Sequence, residues 1–157
     1  MLQNKRKMFV RASLAWAALL GCATAANAMQ PPASDTADAA AVERMLAGES
    51  ETSGAELERR IAAAAAHPLG SQQNPVRAAM PAGQRAYLQR LRCGDGQAPK
   101  FSRRGNAGVG VYGNFVDAFE VSCGGAAPRE AVIFMDMYHR GHVEARPPSG
   151  FTIVAAR

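Results

Sequence analysis

Asp136, His139, His142 and Glu144 fall within the nine residues 136–144, Asp-Met-Tyr-His-Arg-Gly-His-Val-Glu. Imidazole nitrogens and carboxylate oxygens are the ligand types of zinc, so these four side chains are the chain's candidate metal centre. A metal held there would activate water, and the chemistry would be that of a metal-dependent hydrolase. The His-x-x-His spacing is not the His-Glu-x-x-His that sets two ligands on one helix face. If residues 131–138 form a strand, Asp136 and Tyr138 share a face and His139 opens the next loop. The two histidines then meet only if that loop folds back. The competing reading is structural: Asp136 is buried and held by backbone N–H groups or an arginine, and His139 and His142 are solvated loop residues. His67 is the remaining histidine, and nothing in the sequence brings it to the others.

The glycine-rich run 105–113 (GNAGVGVYG) invites a phosphate-loop reading. It lacks the closing Gly-Lys-Ser/Thr, so it is expected to be a tight loop that leads into a strand. Its tip offers Tyr112 and Asn114 as exposed residues for a partner. Ser71, Ser102, Ser122 and Ser149 have no nucleophile-elbow glycines around them, and no Ser-His-Asp arrangement can be read. Asp117, Glu120 and Asp136 could form the paired carboxylates of a glycosidase, but arginine partners are the expectation for strand aspartates in so arginine-rich a segment.

The elements that hold these residues belong to an exported chain. Residues 1–28 read as a signal peptide. Lys5, Arg6, Lys7 and Arg11 make a basic head, residues 12–20 (ASLAWAALL) an apolar stretch too short for a membrane anchor, and Ala26-Asn27-Ala28 a cleavage site. Two processing routes are open, ordinary cleavage after Ala28 or lipidation of Cys22 in Leu-Leu-Gly-Cys. Membrane attachment is expected only with the second. The formal charge is +5, yet the signal holds four of the 18 Lys and Arg and no acid. What remains, 14 basic against 13 acidic residues, leaves a net charge of +1 and no nucleic-acid footprint. An exported protein meets no ATP or NAD(P)H pool, so no cofactor is expected. Residues 29–66 carry seven acids and three bases, and residues 67–157 six acids and eleven bases. That surplus is either compositional or a surface for an anionic partner. Cys93 and Cys123 are the cysteines left after export, and one disulfide is expected between them.

Residues 29–36 read as a disordered lead-in. A short helix is expected over about 37–47, stopped by Gly48. A second runs from a Ser53/Glu56 capping box to about Ala66, before Pro68. These two helices are expected to lie loosely on the compact part, residues 67–157. There the pattern predicts a short strand at 76–79 and a helix over 84–92 with Tyr87, Leu88 and Leu91 on one face. It also predicts a strand at 115–123 with its odd residues buried, a central strand at 131–138 and a last one at 151–155. The Gly124-Gly125 turn makes the middle pair an antiparallel hairpin. The fold class is therefore α+β: a helical N-terminal segment, then a small domain with one helix, an antiparallel sheet and one disulfide.

The runs HPLGS…NPVR, GQRAYLQRLRCGDG, YGNFVDAFEVSC and MDMYH, all within 67–157, resemble a group of small exported proteins of Gram-negative bacteria with no established activity. The resemblance implies export and a domain boundary near His67, and nothing about chemistry. The functional expectation is a periplasmic or secreted binding or accessory module for an envelope protein, a cell-wall component or an anionic ligand, with the metal-dependent hydrolase as its alternative.

Overall fold

The computed structural model describes residues 33–156. The signal-peptide reading, Cys22 and residues 29–32 of the lead-in lie outside them. In chain order the elements are α1 (Ala33–Leu46), α2 (Gly54–Ala64), β1 (Val76–Ala79), α3 (Met80–Arg90) and β2 (Leu91–Arg92). There follow β3 (Lys100–Val109), β4 (Phe115–Ser122), β5 (Glu130–Asp136), β6 (Tyr138–Val143) and β7 (Thr152–Ile153).

Helix α1 starts at Ala33, earlier than expected, because the Ala-rich run carries helical propensity back into the lead-in. It ends as its sequence says. Gly48 takes φ +71°, its N–H donates to the Met45 carbonyl, and the Glu49 N–H donates to that of Arg44. Ser53 precedes α2 but makes no side-chain cap. Glu56, its expected partner, is taken by Arg60 at 2.7 Å and by Arg59. Helix α3 begins at Met80, with Pro81 in its first turn, where a missing N–H costs nothing.

The fold is α+β. Its main sheet has five strands in the order β3-β4-β5-β1-β6, and β2 and β7 form a small second ladder. The β4–β5 hairpin is antiparallel over Val116↔Asp136 to Ser122↔Glu130. One pairing departs from the expected antiparallel sheet: β1 runs parallel to β5, with Arg77 opposite Asp136. The cause is topological. The chain leaves β1 through α3 and comes back through β3 and β4, so β5 arrives from the same end as β1. The glycine-rich run is also more regular than expected. Strand β3 continues through it to Val109, and Gly105 and Gly108, both at positive φ, fall where the register with β4 slips. An edge strand needs a partner on one side only, and bulges absorb the irregular glycines.

One sheet face packs on α3. Tyr87, Leu88 and Leu91 meet Val76, Ala78, Phe119, Val121, Ile133 and Met135, with Phe151 closing the cluster. Burying each large side chain contributes roughly 1.5–3 kcal/mol. Every member of this cluster, including the partly buried ones, comes from Leu69 or later. Cys93 and Cys123 are bonded within it, their Cα atoms 5.7 Å apart. A disulfide is the mark of an oxidising, extracytoplasmic compartment. Among the described residues no helix is long and apolar enough to cross a membrane.

Candidate binding site

Strand alternation sends Asp136, next after the core residue Met135, to the other face of the sheet. Asp136 is fully buried there. Its Oδ1 accepts the Tyr138 N–H at 3.0 Å and its Oδ2 the Asn114 amide at 2.9 Å. His139 Nε2 stands 3.4 Å from Oδ2. Backbone and amide donors thus hold this carboxylate. The arginine goes instead to Asp117, which takes Arg103 at 2.6 Å and the Gln84 amide at 3.1 Å.

Asn114 ties three segments together. Besides Asp136, its amide reaches Ser50 Oγ at 3.1 Å, and its Oδ1 accepts the Glu51 N–H at 2.6 Å. The connection between α1 and α2 is thereby laid over the Asp136 end of the sheet. Arg60 adds a bond to the Val111 carbonyl, and Ala64 and Thr52 are buried.

The partner loop of the sequence reading is not a presented surface. Tyr112 is 1% exposed and Asn114 6%. Tyr112 stands edge-on to the His139 ring, centroids 5.2 Å apart, and its hydroxyl approaches Asn74 Oδ1 at 3.4 Å. Burial pushes the Tyr112 hydroxyl's pKa up, and the nearby Arg77 charge works against that. A tight turn displays its tip only when nothing packs on it, and here the α1–α2 connection does.

The four metal-type residues divide into two pairs. Strand β5 ends at Asp136 and β6 starts two residues on, so His139 and His142 are strand residues rather than solvated loop ones, and His139 is buried. Asp136 pairs with His139. His142 Nε2 lies 3.6 Å from Glu144 Oε2, and the two imidazole centroids are 6.5 Å apart. Neither Nε2 has a hydrogen-bond partner. Among the described residues no three His, Cys, Asp or Glu side chains converge on a common point. Glu144 instead accepts bonds from Nε and Nη2 of the Arg146 guanidinium and from the backbone N–H groups of Ala145 and Arg146. Burial raises its pKa, but His142 and Arg146 outweigh that and hold it well below the usual carboxylate range. His67 is exposed, its carbonyl accepting the Asn74 amide.

A cleft of about 400 Å³ opens between the α1–α2 connection and β6, with His139, His142, Arg77 and Arg140 on its walls. Its acids are already matched: Glu51 lies 3.4 Å from Arg44 and Glu49 3.7 Å from Arg140. Arg77 is not. This half-buried arginine has no ion-pair or side-chain hydrogen-bond partner among the described residues. Arg77 and His142 also form the wall shared with a second cleft, of about 670 Å³, between α3 and β6. A third groove, of about 540 Å³, crosses the solvated ends of β3, β4 and β5 and has none of the buried polar groups on its walls.

Composition could have pointed to Arg77: in Asn-Pro-Val-Arg-Ala-Ala it is the lone charge in an otherwise apolar short strand. Its lack of a counter-ion was not readable, since that depends on which acids other arginines reach first. Compared with protein-family models, with curated proteins and with solved structures, the chain matches none.

Proposed function

We propose that the mature chain is an exported, non-catalytic binding module whose ligand presents an anionic group to Arg77. The observation that carries this reading is the unmatched charge of Arg77 at a cleft whose own carboxylates are already paired. An unpaired guanidinium is best matched by a carboxylate or phosphate, which accepts two parallel N–H bonds. The bonds of Asn114 to Ser50, to the Glu51 N–H and to Asp136 hold the α1–α2 wall of the cleft in place without a ligand, which lowers the ordering cost of binding. The sequence surplus of arginine over residues 67–157 points the same way.

Export rests on the signal-like residues 1–28, on the resemblance to small exported proteins and on the disulfide. Periplasmic or secreted release follows cleavage after Ala28, and membrane attachment follows lipidation of Cys22. Mass spectrometry of the cell-envelope and culture fractions separates them by the N-terminal residue and its modification. The hydrolase alternative needs Asp136, His139, His142 and Glu144 on one ion, whereas they stand as two acid–imidazole pairs.

Calorimetric titration of the mature protein with inorganic phosphate and with acetate tests the seat. Saturable binding is expected, with Arg77→Met abolishing it and leaving the thermal midpoint of the unliganded protein within a few degrees. Binding that survives Arg77→Met, or no binding of either anion, overturns the reading.

A further inference from the structure

We infer that the ligand is a single-chain anionic amphiphile, its head on Arg77 and its alkyl chain along the second cleft, between α3 and β6. This rests on the anion-seat reading and names the class of ligand.

The second cleft differs from the first in its lining. Its helical wall is one face of α3: Gly83, Ala86, Tyr87 and Arg90 follow the spacing i, i+3, i+4, i+7. Glycine and alanine there keep the wall low. On the far side Val143 and Val154 are 62% and 42% exposed, a large share for β-branched side chains with nothing to gain from water. The floor is Ala78 and Ala79. A cleft of about 670 Å³ with such walls is within the size range of small-molecule sites.

Its uncompensated charge is positive. Arg77, Arg90 and Arg92 line it. Arg90 and Arg92 spend their N–H groups on backbone carbonyls, those of Glu144 and Val154 and those of Gln89 and Leu91, which leave the positive charge uncompensated. Glu144 is the cleft's only carboxylate among the described residues, and Arg146 holds it. A trough that combines exposed valines and alanines with three arginines repels cations and draws anions. It suits an apolar chain that ends in an anion. From Gly83 to Arg90 the helix rises roughly 10 Å, about the length of an extended eight-carbon chain.

The test is a calorimetric titration of the full mature chain with acetate, hexanoate, octanoate and decanoate, each below its micelle concentration, with decyl phosphate and decanol as head-group controls. Affinity should rise about threefold to fourfold per added CH₂ and level off near eight to ten carbons. Decanoate and decyl phosphate should both bind, and decanol at least tenfold more weakly. Ala86→Asp and Val154→Asp replace exposed residues and should weaken decanoate at least tenfold while leaving acetate unchanged. Val143→Asp repeats the test from the β6 side should either variant unfold. Acetate or phosphate binding with no gain along the series overturns this inference and leaves the anion seat standing. Decanol binding as tightly as decanoate also overturns it. Failure of every anion overturns both.

Discussion

Arg77 on β1 stands in register opposite Asp136 on β5, yet the two form no ion pair. Asp136 is satisfied from the other side, by the Asn114 amide and the Tyr138 N–H. Had Arg77 turned inward, the pair would have been a buried salt bridge of doubtful net worth and the clefts would have lost their free charge. Neutral donors on the acid leave the base free to meet a ligand.

That division makes Asn114 a structural residue. Asn114→Ala removes its bonds to Asp136, Ser50 and the Glu51 N–H and leaves a buried carboxylate short of a donor. A loss of about 2–4 kcal/mol in urea unfolding is expected. A change under about 0.5 kcal/mol would mean that the α1–α2 connection is not held by this residue.

Asp136→Ala should cost about 3–5 kcal/mol, the scale for breaking a buried network and orphaning its partners. A chelator should leave the thermal midpoint unchanged. If it lowers the midpoint, and His139→Ala and His142→Ala reproduce the loss, the metal-centre reading takes over.

The pH dependence comes from Glu144. Its ordinary pKa is 4.5, and the fold holds it lower. Above 4.5 both states are ionised and the stabilisation is fully present. As pH falls below that value the unfolded chain takes up a proton that the native state refuses, and stability drops until the native carboxyl titrates too. Thermal midpoints measured from pH 6 to 3 should fall for the wild type and fall less steeply for Glu144→Gln. Parallel curves would remove Glu144 from the acid response.

The 30-residue separation of Cys93 and Cys123 sets the value of the disulfide. On the chain-entropy account, closing that loop stabilises by about 3–4 kcal/mol, and Cys93→Ala should cost about 2–5 kcal/mol. Intact mass with and without alkylation should show no free thiol in the oxidised protein.

A chain cut to residues 67–157 should still unfold cooperatively, because its apolar cluster draws on nothing before Leu69. The same cut takes away Arg44, Ser50 and Thr52 from the first cleft. Circular dichroism should show a sigmoidal melt, and phosphate titration a weakened seat. Loss of the cooperative melt would make α1 and α2 core elements and move the boundary.

Much of the fold was legible in local patterns. Gly48 stops α1, and the alternation Phe119, Val121 beside the Gly124-Gly125 turn marks the β4–β5 hairpin. Cys93 and Cys123 were readable as a pair because they are the two cysteines outside the signal-like residues 1–28. These depend on a residue's own backbone preference or on neighbours a few positions away. The local pattern failed at 105–109, where glycine content read as a loop and pairing with β4 made it a strand, while 110–114 is the expected tight turn into β4. It failed again at Tyr112 and Asn114, where a turn read as exposed and a segment more than 50 residues upstream buried it.

The sequence alone marked Asp136 as a carboxylate that needed partners, and named an arginine, backbone N–H groups or a metal as what could supply them; the Asn114 amide was not foreseen. It could not choose among these, because the choice depends on which donors the sheet order and the α1–α2 connection bring within about 3 Å. Only the assembled fold gave Asp136 to Asn114, Asp117 to Arg103 and Glu144 to Arg146, and left Arg77 facing two clefts. Hydrogen bonds and ion pairs act at contact range, while residues that compete for them lie as far apart in the chain as Asn114 and Glu51, 63 positions. Which charge is left over is therefore a property of the tertiary structure.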